Sequence, residues 1–117
     1  MRNYQENYPA LYQFLGAYFN QDWKDFYDWQ GETPNFEAVV CYYKSTDPPT
    51  TVARVIKELQ IFLEQPLSDK ELEGIVDREF LAEYTPRSRG LTKRQWLEAM
   101  LPILQEPTTP SKLRFIG

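Results

Sequence analysis

Two hexapeptides in this chain start helices by the same device, and they constrain the fold more than any other feature. In Leu67-Ser68-Asp69-Lys70-Glu71-Leu72, the Ser68 hydroxyl is placed to accept from the third amide of a helix. Glu71 is placed to reach back to the Ser68 amide, and Leu67 and Leu72 to clasp across the turn. In Leu91-Thr92-Lys93-Arg94-Gln95-Trp96 the same roles fall to Thr92, Gln95, Leu91 and Trp96. A capping box joined to a hydrophobic staple is a specific pattern, so both stretches are committed to helix starts. The first helix then offers Leu72, Ile75, Val76 and Phe80 to a core, and the second Trp96, Leu97, Met100 and Leu104. Pro102 is expected to kink the second.

Three further helices follow from apolar spacing. Leu11, Phe14, Leu15, Tyr18 and Phe19 recur at three- and four-residue steps over 9–19, with Pro9 suited to a first turn. Gly16 lies beside that stripe, where it costs roughly 1 kcal/mol against alanine; it is expected to let another element come close. Thr33 and Pro34 read as the cap and first position of the next helix, whose inner face is Phe36, Val39, Val40 and Tyr43. Val52, Val55, Ile56, Leu59, Phe62 and Leu63 form the clearest stripe, closed by Pro66. Trp23, Phe26, Tyr27 and Trp29 read as a short turn folded onto the first helix. No strand of useful length, phosphate loop or internal repeat is visible. The expected fold is all-α: a small single-domain bundle of about five helices over residues 1–117, with a loosely held tail at 107–117.

With 117 residues, 42% of them hydrophobic, one core needs no disulfide or metal to hold it. Cys41 is the single cysteine, and it reads as a small buried hydrophobe in a reducing compartment. No signal peptide follows Arg2 and no stretch is long enough to span a membrane, so a cytoplasmic protein is expected. The chain has no histidine, which removes imidazole-based nucleophile systems and metal sites. No catalytic residue, cofactor or metal site is assigned.

Charge is unevenly placed. Residues 1–83 carry 15 acidic and 7 basic side chains, residues 84–117 only 2 and 6. The acidic body disfavours nucleic acid as a partner and suits a basic one. Asp69, Glu73 and Asp77 recur every four residues on one helical face with Glu71 alongside, and Asp22, Asp25 and Asp28 recur every three. Neither set has the spacing of a calcium loop, and a solvated helix face is their plainest reading. The alternative is a charged docking surface, with Tyr27 and Trp29 as exposed anchors. Arg87, Arg89, Lys93 and Arg94 surround a helix start; they suit an anion, or pair with the acidic body. The residues alone stop at a non-enzymatic acidic binding domain: an adaptor, or less favourably a nucleic-acid-binding regulator acting through 87–94.

The stretch from Tyr8 to Trp23 goes further. Gly16, Tyr18, Phe19, Gln21, Asp22 and Trp23 form a Gly-x-Tyr-Phe-x-Gln-Asp-Trp segment after an aromatic-rich helix. This resembles the start of the contact-dependent growth inhibition immunity proteins, the CdiI family, in which the position held here by Asn20 is often histidine. Gly90-Leu91-Thr92-Lys93-Arg94-Gln95-Trp96-Leu97 is similar to the family's Gly-Leu-Thr-x-Arg-x-Trp-Leu signature, and the match runs in order along nearly the whole chain.

The resemblance implies a non-enzymatic cytoplasmic antidote. Its partner would be the cognate toxin domain at the C-terminus of a large secreted surface protein, commonly a nuclease, held as a monomer in a 1:1 complex. It also implies that Gly16, Gln21, Asp22, Trp23, Thr92 and Trp96 define the fold. The candidate toxin contacts are Asp69, Glu71, Glu73 and Asp77, with Asp25, Asp28, Tyr27 and Trp29 as a second patch.

Overall fold

The computed structural model describes residues 3–84, 89–107 and 113–116. Among them are six α-helices: α1 (Tyr4–Asn7), α2 (Pro9–Tyr18), α3 (Phe36–Thr46), α4 (Pro49–Leu63), α5 (Asp69–Arg78) and α6 (Lys93–Gln105). A 3-10 turn, Trp23–Phe26, leads into a two-residue strand β1 (Tyr27–Asp28), which pairs antiparallel with β2 (Arg114–Phe115). Helix α6 packs against α3, α4 and α5, and α2 packs against α4.

Both capping boxes form. Ser68 Oγ accepts from the Glu71 amide, while Glu71 Oε1 accepts from the Ser68 amide. Thr92 and Gln95 exchange the same pair of bonds. The cap of α3, expected at Thr33, is Asn35, whose Oδ1 accepts from the Ala38 amide at 2.8 Å. Asparagine is the stronger cap, and it displaces Pro34 to a position before the helix. Helix α2 has no side-chain cap of its own; Glu58 from α4 accepts from its Leu11 amide at 3.1 Å, placing an anion at the positive helix end. Lys44 of α3 does the converse, donating to the Ile103 and Glu106 carbonyls at the end of α6. Helix α6 continues past Pro102, whose ring is exposed, so the missing hydrogen bond falls on the solvent side.

The core is aromatic. Trp96 lies 4.8 Å from Tyr84 and 5.1 Å from Phe19, centroid to centroid, and Trp23 lies 5.2 Å from Tyr84. Most of the aromatic-rich first stretch is therefore core: Tyr8, Leu11, Phe14, Leu15, Phe19, Trp23 and Tyr27 are all buried. Asn20 closes α2, its amide donating to the Gly16 carbonyl and its Oδ1 accepting from the Asp22 amide.

Gly16 has the role its position suggests. A Cβ there would stand 3.3 Å from the Phe80 carbonyl oxygen, where the chain leaving α5 crosses α2. Gly16→Val therefore overpacks a backbone contact and is expected to cost about 1–3 kcal/mol, despite valine's better helix propensity. Urea denaturation checks this; a variant as stable as the parent would show that the crossing gives way.

The tail, expected to be loosely held, returns to the body at 113–116. Tyr27 faces Phe115, Asp28 faces Arg114, and the Ile116 amide donates to the Phe26 carbonyl at 2.7 Å. Residues 108–112 and 117 lie outside the described residues.

Candidate functional site

Asp69, Glu73 and Asp77 of α5 share a face, as their four-residue spacing requires, and they rim a depression of about 600 Å3 with Lys70, Gly74 and Arg78. Asp69, Asp77 and Glu71 each make contacts within the fold. Asp69 accepts from Arg94 Nε at 2.7 Å, and Arg94 also donates to the Leu67 carbonyl. Asp77 lies 2.9 Å from Lys93 Nζ. Glu71 completes the capping box, and the Ser68 amide holds its carboxyl below the usual carboxylate range. Glu73 lines the same depression. With Lys70, Arg78, Lys93 and Arg94 against Asp69, Glu73 and Asp77, this face is far less negative than its sequence spacing implies.

Lys93 is the central residue of that arrangement. Only 8% exposed, it donates to the Ala82 and Tyr84 carbonyls as well as pairing with Asp77, and its ammonium sits 5.5 Å from the Trp96 ring centroid. A cation in the first turn opposes the helix dipole, and here three acceptors offset that cost. Arg89 is spent likewise. It grips Glu37 through two hydrogen bonds, 3.0 and 2.8 Å, and its guanidinium lies 5.3 Å from the Phe36 ring centroid. Each described cation of the basic set thus holds a carboxylate, which is the pairing with the acidic body that the sequence allowed. Arg87 lies outside the described residues.

The Arg89 hydrogen bonds are the main cause that holds the Glu37 carboxyl below its usual value of 4.5, against the opposing effect of burial. Its stabilising contribution is therefore full above that value and is lost as pH falls through the lower folded value. Both side chains are more than two-fifths exposed, so the pair contributes less than about 1 kcal/mol. Arg89→Met is expected to be less stable than the parent by that margin at neutral pH. Stability curves of the two should converge once acid protonates Glu37. A constant gap down to acid pH would mean the stacking on Phe36 matters and the ion pair does not.

The second patch sits on the 3-10 turn and β1. Asp22, Asp25 and Asp28 are exposed, and Asp28 Oδ1 accepts from the Gln30 amide. Tyr27, expected as an exposed anchor, is only 4% exposed. Strand alternation puts it on the inner face with Phe115 and sends Asp28 and Arg114 outward. Trp29 is half-buried, edge-on to Trp23 and Tyr27, with its indole N–H donating to the Lys24 carbonyl. Among the described residues no three His, Cys, Asp or Glu side chains converge as metal ligands. Cys41 is half-buried on α3 rather than fully enclosed. No described helix is long and apolar enough to cross a membrane.

With this geometry in hand, comparison with known families is decisive. The model of the CdiI immunity protein family matches residues 7–102. The chain belongs to the CdiI immunity protein family. It is also similar to a chain in the crystal structure of a CdiA-CT/CdiI complex from Y. kristensenii 33638. The two are 24% identical, the match covers 85% of this chain and 99% of that one, and the TM-score is 0.72, so the fold is shared. No curated protein matches significantly. In this CdiI family member the signature positions divide. Gly16 meets the Phe80 carbonyl, Trp23 and Trp96 lie among core rings, and Thr92 caps α6. Gln21 and Asp22, the other two expected fold-defining positions, are exposed; Asp22 makes no side-chain cap, and Asn20 closes the helix.

Proposed function

We propose that this chain is the antidote to a contact-dependent growth inhibition toxin. It binds the toxin's C-terminal domain one-to-one in the cytoplasm and blocks it, performing no catalysis. The observation that carries this reading is the family match over residues 7–102, on a fold shared with a chain from a CdiA-CT/CdiI complex. We infer further that the toxin is a nuclease. A cleft that handles a polyanion is basic, and an acidic protein complements it in charge, which speeds encounter and selects the partner.

The docking charge follows from which acids are left for a partner. Asp69, Glu71 and Asp77 serve this fold first, with Glu73 beside them. Asp25 and Asp28, with Asp22 close by, stand outward on the turn and β1, and Trp29 borders them as the aromatic anchor. The experiment is protection. Cells expressing the C-terminal domain encoded immediately upstream should survive when this protein is co-produced and die without it. They should die again when Asp22, Asp25 and Asp28 are all changed to lysine. Full protection by that triple variant would move the contacts elsewhere; no protection by the parent would remove the immunity reading.

A further inference from the structure

The two-residue ladder borders a groove of about 370 Å3 that charge steering alone leaves without a role. Its walls are the rings of Tyr18, Phe26, Tyr27, Tyr42 and Phe115, and Asp47 is the charged residue in its lining. Tyr42 and Phe115 lie nearly parallel, 21° apart with centroids separated by 6.5 Å. Tyr27 stands edge-on to both, at 5.3 and 5.9 Å. Phe115 is 52% exposed, so a large ring carried back from the tail stands open to solvent at the groove's rim.

The carboxylate is held ready. Asp47 Oδ1 accepts from the Tyr18 hydroxyl at 3.1 Å and from Thr46 Oγ1, and no described residue donates to Oδ2. Burial first, with Asp47 and Tyr42 among the further causes, raises the Tyr18 phenol; burial, then Tyr18 and Tyr42, raises Tyr27. Tyr18, Tyr27 and Tyr42 line the same groove as Asp47, and the Tyr18 hydroxyl is bonded to it. Arg54 lines an adjoining depression that shares Tyr18 and Asp47, and it makes no ion pair with Asp47. Arg114 belongs to the outward face of the ladder. Ring faces attract a cation, a carboxylate pairs with it, and a planar guanidinium meets both demands better than an ammonium.

We propose that this groove receives an arginine side chain of the toxin domain, its guanidinium paired with Asp47 and lying against the rings of Tyr42 and Phe115. The proposal rests on the immunity reading, since a toxin that handles nucleic acid supplies such arginines at its cleft. Three variants test it by titration against the purified toxin domain at low and high salt. Asp47→Asn keeps an acceptor for Tyr18 and removes the charge. Phe115→Ala trims an exposed ring. Ile61→Ala, on the exposed face of α4, is the control. Circular dichroism melts confirm that each is folded. Kd is expected to rise at least tenfold in the first two variants and to stay unchanged in the third, with a shallower salt dependence for Asp47→Asn. A Kd within twofold of the parent for Asp47→Asn overturns the proposal, and so does weakening by Phe115→Ala alone, which would signal an apolar occupant. If the parent protein itself fails to bind, the immunity reading fails and takes this proposal with it, a result distinct from either.

Discussion

Trp96→Ala is expected to lose about 3–5 kcal/mol of stability, the range for emptying a large aromatic site in a core. The side chain is fully buried and touches rings from three other parts of the chain: Phe19 after α2, Phe36 at the start of α3, and Tyr84 before α6. These neighbours come from separate elements, so none can collapse into the space without moving a helix. A domain of this size has only about 5–15 kcal/mol in total, so the variant should populate unfolded chain at 37 °C. Trp96→Phe is the discriminating partner. It keeps most of the packing and removes an indole N–H that has no hydrogen-bond partner among the described residues. Its cost should be well under half that of alanine, because the lost donor left nothing unpaired behind. Equal costs for the two, measured by urea denaturation, would mean that the ring's shape and not its volume is what the site requires.

Lys93→Met is expected to cost about 2–4 kcal/mol, although both side chains are long and mostly apolar. The ammonium is buried and joins the Ala82 and Tyr84 carbonyls to Asp77 on α5. Removing it strands two carbonyls in the segment that carries Tyr84 into the core and crosses α2 at Gly16. Asp77→Asn should cost less than about 1 kcal/mol, because that carboxylate is 43% exposed and water replaces its partner. The asymmetry identifies the carbonyls, and not the ion pair, as the source of the effect. If Asp77→Asn costs as much as Lys93→Met, that assignment is reversed.

What could be read from the sequence was what local chemistry decides. Both capping boxes form because Ser68 and Glu71, or Thr92 and Gln95, need only each other's backbone. The helical stripes reached the core because spacing alone sets a face; Val52, Val55, Leu59 and Phe62 are all buried. What escaped depends on partners distant in the chain. Lys93 and Lys44 look like surface cations until the fold brings the Ala82 and Tyr84 carbonyls, from the segment after α5, to the first and the Ile103 and Glu106 carbonyls, from the end of α6, to the second. Tyr27 looks exposed because two strand residues are too few to show alternation, and its partner Phe115 lies at the other end of the chain. The α5 acids kept their common face, but the cations opposite them come from the start of α6, which no spacing rule within α5 reveals. The groove around Asp47 is assembled from α2, the 3-10 turn, β1, α3 and β2, and left no local signature at all.

The claim on which everything functional depends is that the chain captures a toxin domain, and binding tests it most directly. The C-terminal domain encoded by the reading frame immediately upstream would be titrated with this protein at low and at high salt. A one-to-one complex of nanomolar Kd, weakened at high salt, is the expected result. No binding at micromolar concentrations in either buffer, with both proteins folded, would contradict it.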